Sequence, residues 1–217
     1  MMERVHNINY YEVFMKKTLC ILLSAILLVP MCGCSKKPRV DYESFEKYAI
    51  ADLKLEKKER DQSSSNAFFN MDDTIGSSDG INLKLDHYAQ VFSQAEGSTA
   101  GNLYVLYYDY QEESEARNYF DQLVSEEKTV VESSKENHVI DSTDDHLIVL
   151  TQQNGMLFTF ECLYVEKDIL LFAAIVIGAQ DLTKVNSDWL KMVDTFFGDL
   201  RIKKPFDLSK EIKNLLH

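Results

Sequence analysis

Past residue 34 the sequence holds one cysteine, Cys162; the other three, Cys20, Cys32 and Cys34, crowd into the first 34 residues. A disulfide framework is thereby excluded for the bulk of the chain. Cys162 lies in "MLFTFECLYV" on an alternating face with Phe158 and Phe160, so a small buried hydrophobe is a simpler expectation than a reactive thiol. Positive charge is also scarce: 23 Lys and Arg stand against 35 Asp and Glu, a formal net charge of -12. Binding a phosphate backbone needs the opposite balance, and nucleic acid is not expected as a partner. No G-x-S-x-G elbow, no H-E-x-x-H pair and no D-x-[DN]-x-[DN]-G loop occurs, nor any repeat of 20 to 50 residues. The usual signatures of a serine hydrolase, a zinc protease, a calcium loop and a solenoid are therefore missing.

What is present suffices for a folded core. Hydrophobic residues make up 45% of the 217 and aromatics 11%, which is not a disordered composition and suits one main domain with appendages. Near the N-terminus, "MKKTLCILLSAILLVPMCGCSKK" runs from Met15 with Lys16 and Lys17 ahead of an apolar stretch, Leu19 to Met31, of about 13 residues. That length suits a secretory leader and falls short of the roughly 20 residues that span a bilayer.

The segment resembles bacterial lipoprotein signal peptides, in which a small residue precedes a cysteine that receives diacylglycerol before the leader is removed. The resemblance implies a signal peptide over 15–33, cleavage between Gly33 and Cys34, and lipidation of Cys34, with residues 34–41 as a tether opening on Ser35-Lys36-Lys37. Modification at Cys32 instead would place Met31 at the small-residue position, a poorer fit. Residues 1–14, "MMERVHNINYYEVF", carry Glu3, Glu12 and bulky aromatics where a leader should open with basic residues, so translation is expected to begin at Met15. With the leader set aside, the remainder is more acidic than the whole. Such a domain is repelled by anionic headgroups and is expected to stand off the membrane rather than lie on it.

In the exported part, Asp41 is a plausible N-cap for a helix from Tyr42 to about Lys57, with Tyr42, Phe45, Ala49 and Leu53 on one face. Residues 62–80, rich in Ser, Asn, Asp and Gly, read as a loop. Together, 42–80 form an N-terminal helix and polar loop, and 81–217 an α+β domain. "LKLDHYAQVFSQ" and "NLYVLYYDY" read as paired strands. "ESEARNYFDQLVSEE" places Ala116, Tyr119, Phe120, Leu123 and Val124 at helical spacing. "HLIVLTQQ" and "MLFTFECLYV" flank Asn154-Gly155, a strong hairpin signal. "ILLFAAIVIG" is apolar on both faces and should lie centrally. "SDWLKMVDTFFGDL" carries the stripe Trp189, Val193, Phe196, Phe197 and Leu200, and "DLSKEIKNLLH" after Pro205 suggests a short last helix. The predicted architecture is α+β: an antiparallel sheet of about five strands with helices covering one face, in the order α-β-β-α-β-β-β-α. This layout is similar to that of small lipoproteins of Gram-positive bacteria across Asp41 to Leu200, without a motif that transfers a site.

Two constellations stand out. "HVIDSTDDHL" gathers His138, Asp141, Asp144, Asp145 and His146, donors suited to a divalent ion, although a solvated turn explains them more simply. Tyr104, Tyr108 and Tyr110 share one face with Leu106, while Leu103, Val105 and Tyr107 share the other. An aromatic shelf could take a sugar or peptide, with core packing as the simpler reading. No catalytic residue, metal or cofactor is assigned. The expectation is a lipid-anchored binding or envelope-assembly module at the extracytoplasmic face of the cell membrane, its ligand an envelope protein, peptide or glycan. Its rivals are a metal-dependent hydrolase using the Asp141 to His146 cluster and a structural envelope spacer.

Overall fold

The computed structural model describes residues 40–59, 66–76, 83–95, 101–153, 157–178 and 187–202, all within the compact unit Pro38–His217. Met15, Cys32, Gly33, Cys34 and the tether up to residue 39, the Asn154-Gly155 turn, the helix expected after Pro205 and His217 lie outside the described residues.

The first helix, α1 (Tyr42–Asp52), begins as its cap dictates: the Ser44 N–H donates to Asp41 Oδ1 at 2.8 Å, satisfying one of the orphan donors of the first turn. It stops five residues before the predicted Lys57. Lys54 turns to φ +53 and the Leu55 N–H donates back to the Ile50 carbonyl at 3.1 Å, closing the helix and freeing Glu56–Lys58 for a strand, β1. The expected loop over 62–80 contains a second strand, β2 (Asn66–Asn70), and a 3-10 turn at Asp72–Thr74. There follow β3 (Leu85–Gln94), β4 (Gly101–Tyr110), helix α2 (Glu113–Glu132), β5 (His138–Ser142), β6 (His146–Gln153), β7 (Leu157–Glu166), β8 (Ile169–Gly178) and helix α3 (Ser187–Asp199).

These strands form one sheet in the order β1-β2-β3-β4-β8-β7-β6-β5. The five-stranded antiparallel sheet read from the sequence is therefore wrong in number and in kind. There are eight strands, and the β1–β2 pair is parallel, Glu56 opposite Ala67, in an otherwise antiparallel sheet. The three missed strands lie toward the edges. Glu56-Lys57-Lys58 has no apolar residue, and β5 is largely exposed; charge and shortness are how sheet edges are kept from further pairing. Chain order reverses at β4, because α2 carries the chain across so that β8 rather than β5 pairs with it.

The helices also cover both faces, not one. On the first face Leu103, Val105 and Tyr107 of β4 and Leu171, Ala173 and Ile175 of β8 pack with Phe45 and Ala49 of α1 and with Trp189, Val193, Phe196 and Phe197 of α3. On the second, Tyr108, Tyr110, Val149, Leu163 and Leu170 pack with Ala116 and Phe120 of α2. β8 is apolar on both sides because it is the fifth of eight strands with helices above and below. Each fully buried Val, Leu, Ile or Phe side chain among them contributes about 1.5–3 kcal/mol of transfer free energy. Gly101 is required by that packing: a Cβ there would come within 2.9 Å of the Trp189 ring.

Candidate functional site

At one end of the sheet β6 starts, β7 stops, β8 starts and the end of α3 arrives. His146, the first residue of β6, has Nε2 3.0 Å from Asp141 Oδ2 and Nδ1 3.0 Å from Asp145 Oδ1 and 2.7 Å from Thr143 Oγ1. The Thr143 hydroxyl donates to Asp145 Oδ1 at 2.5 Å, and this bond, followed by those of His146, holds the Asp145 carboxyl below the usual range. The backbone fixes the turn: the Thr143 N–H donates to the His146 carbonyl at 2.8 Å and the Val165 N–H to the Asp145 carbonyl at 2.9 Å. Arg117 of α2 donates to the Asp144 carbonyl, so the turn is held from both the sheet and the helix. The predicted cluster is thus real for Asp141, Asp145 and His146. His138 stands apart, exposed at the start of β5.

The imidazole, 12% exposed, stacks on Tyr164 at 6.2 Å and borders a cavity of about 310 Å³. Its polar rim is Asp145, His146, Glu166 and Arg201, and its apolar wall includes Val40, Ile169, Leu171 and Ile202. Arg201 follows α3 at φ +56, its N–H donating to the Gly198 carbonyl at 3.0 Å. This is the position past a helix where glycine is preferred. Among the described residues its guanidinium makes no ion pair. Sequence reading passed over Arg201 and Tyr164, because neither sits in a motif and the two meet only through the fold.

A second polar knot lies at the same end of the sheet. His87 Nδ1 is 3.0 Å from Asp72 Oδ2, its ring stacks on Tyr42 at 4.3 Å, and Asn70 donates to the Tyr42 hydroxyl at 2.8 Å. The Tyr88 N–H donates to Asp72 Oδ1 at 2.8 Å, so the knot fastens α1 and the 3-10 turn to β3. Nearby, burial and then the Asp168 charge push Asp109 up to about 6. Asn70, Asp72, His87 and Tyr42 are thus engaged with one another across these elements.

The tyrosine shelf is an interior feature over most of its length. Tyr108 and Tyr110 are 7% and 2% exposed; Tyr108 stacks on Tyr88 at 5.1 Å and meets Tyr119 of α2 edge-on at 6.1 Å. Tyr104 is half-buried. Cys162 is fully buried and burial pushes its thiol up, as its alternating face implied. Beneath α2, Glu127 meets Glu161 of β7; burial, then that carboxyl, push Glu127 up to about 8.

Among the described residues no group of three or more His, Cys, Asp or Glu is arranged to hold a metal ion, and no helix is long and apolar enough to cross a membrane. Neither a protein-family model nor a curated protein matches the chain. Among solved structures, the extracellular domain of PknH from Mycobacterium tuberculosis aligns with a TM-score of 0.40 at 8% identity, over 75% of this chain and 97% of that one. The likeness is too loose to bear on function.

Proposed function

We propose that this chain is an exported, lipid-anchored binding module, held by diacylglycerol on Cys34 at the extracytoplasmic face of the cell membrane, with the cavity beside His146 as its binding site. The observation that carries the binding reading is the cavity. At about 310 Å³ it lies at the small end of ligand pockets, with a few polar groups converging over an apolar wall, as such sites do. The anchor reading rests on Lys16, Lys17, the short apolar run and Gly33-Cys34-Ser35. Two acyl chains give stable attachment where one does not, since each buried CH₂ adds about 0.8 kcal/mol. Amide chemical-shift mapping with cell-wall peptides, glycans and amino acids tests the binding reading. Saturable shifts confined to the residues around His146 and Tyr164 are expected. A silent cavity across the whole panel would leave the chain as an envelope spacer.

A further inference from the structure

We propose that the part of the second sheet face around Phe92 and Tyr104 is a platform for a neutral oligosaccharide, separate from the cavity beside His146. Phe92 of β3 pairs with Tyr104 of β4, and Tyr104 with Ala174 of β8. To one side of this row Gln94 pairs with Asn102; to the other Gln90 pairs with Leu106, and Leu106 with Phe172. Paired residues, and residues two apart on a strand, point to the same side of a sheet. Tyr108, which shares that side with Tyr104, packs in the second core. The residues of these rows are half-buried, whereas Val91, Leu103, Val105 and Ile175, which point to the other side, are at most 1% exposed. Helix α2 crosses the second side from Tyr108, where Tyr119 meets it, to Glu161, where Glu127 meets it. Among the described residues Phe92 and Tyr104 join neither core. The cavity's Val40, Tyr164 and Leu171 belong to the first core, so the two sites lie on opposite sides of the sheet.

The chemistry of the rows selects the ligand. They carry no charged side chain, in a chain of net charge -12. A cationic ligand would find no counter-charge among them, and an anionic one would meet the acidic surface around them. Rings and carboxamides alternate instead: Phe92 beside Gln90 and Gln94, and Tyr104 beside Asn102. Gln90 donates to the Tyr88 hydroxyl, but among the described residues the Tyr104 hydroxyl and the side-chain amides of Gln94 and Asn102 have no hydrogen-bond partner. An apolar protein surface laid over these groups would strip their water and return nothing. A sugar ring matches both parts, its C–H face lying on an aromatic ring and its hydroxyls reaching the amides and the phenol. With strands about 4.8 Å apart, the rows offer an extended flat surface, which suits several linked sugars better than one.

The test uses the full chain in a detergent without a sugar headgroup. Titration calorimetry with the hexamers of N-acetylglucosamine, cellulose, laminarin and maltose should give saturable binding for at least one. The matching monosaccharide should bind at least tenfold more weakly, and polygalacturonate should not compete. Phe92→Ala and Tyr104→Ala should each weaken the hexamer at least tenfold. Tyr104→Phe and Asn102→Ala, which keep the rings, should each weaken it at least threefold at an unchanged melting temperature, and they decide the matter if the ring deletions do not fold. Binding of none of the four hexamers, full affinity in Tyr104→Phe and Asn102→Ala together, or equal affinity for polygalacturonate would overturn the proposal. A dimer in sedimentation that Phe92→Ala dissociates would overturn it too, by giving the face to a second copy of the chain. Amide mapping separates this site from the cavity. Hexamer shifts at Phe92, Asn102 and Tyr104 uphold it whether or not the cavity responds to any ligand, and hexamer shifts confined to His146 and Tyr164 overturn it while the cavity reading stands.

Discussion

The indole N–H of Trp189 donates to the Ser93 hydroxyl at 3.1 Å, joining α3 to β3 across 96 residues of chain. Both residues are buried, so neither group has water to fall back on. Ser93→Ala should cost about 1–3 kcal/mol, the usual penalty for leaving a buried donor unpaired. Gly101→Ala, which drives a methyl into the same indole, should cost about 1–3 kcal/mol through overpacking. Urea unfolding monitored by Trp189 fluorescence measures both, and wild-type stability in either variant would show that this corner is loosely packed.

Tyr110 is 2% exposed, yet its hydroxyl has no hydrogen-bond partner among the described residues. Removing an unsatisfied buried hydroxyl while keeping the ring relieves a desolvation penalty. Tyr110→Phe should therefore match or exceed wild-type stability by up to about 1 kcal/mol. A clear loss in a thermal melt would mean that the hydroxyl is paired, and would revive an interest in Tyr110 as a binding group.

Glu127 and Glu161 give the fold a pH dependence of definite sign. Burial, then the neighbouring carboxyl, raise Glu127 from 4.5 to about 8, so between those values the folded state binds more protons than the unfolded state. That contribution is fully present below about pH 4.5 and is lost as pH rises through about 8. Because Glu127 is only half-buried, solvent screening reduces the effect to on the order of 1 kcal/mol. Glu127→Gln keeps the hydrogen-bonding shape without the charge. It should raise the melting temperature at pH 9 by about 2–4 °C and change little at pH 5; parallel pH profiles for the two proteins would remove this pair as the cause.

Cys34→Ala should abolish incorporation of an alkyne fatty acid in labelled cells and leave unprocessed precursor, whereas Cys32→Ala should do neither. Label retained in the first variant, or lost in the second, would move the anchor to the other cysteine or remove the lipoprotein reading altogether.

Much of this protein is decided by local pattern. Asp41 caps α1 as its side chain and position predict, and the stripe from Trp189 to Leu200 packs as a helical face. The alternation in β4 sends Leu103, Val105 and Tyr107 to one core and Tyr108 and Tyr110 to the other. The excess of acidic over basic residues and the isolation of Cys162 past residue 34 are likewise properties of the chain as written. These features are legible because a 2.0 or 3.6 residue period, or a cap, acts within a few positions of itself. β1, β2 and β5 are not legible, since Glu56-Lys57-Lys58 and its like become strands only when a neighbour offers unpaired backbone groups, and that neighbour is chosen by the whole sheet. The exchange of β8 for β5 beside β4 is decided in the same way. So is the cavity: His146 was visible as part of a polar cluster, but Arg201 reaches it only because α3 packs on the first face and ends above the start of β6. Long-range pairing and packing bring those residues together, and no window of sequence contains both.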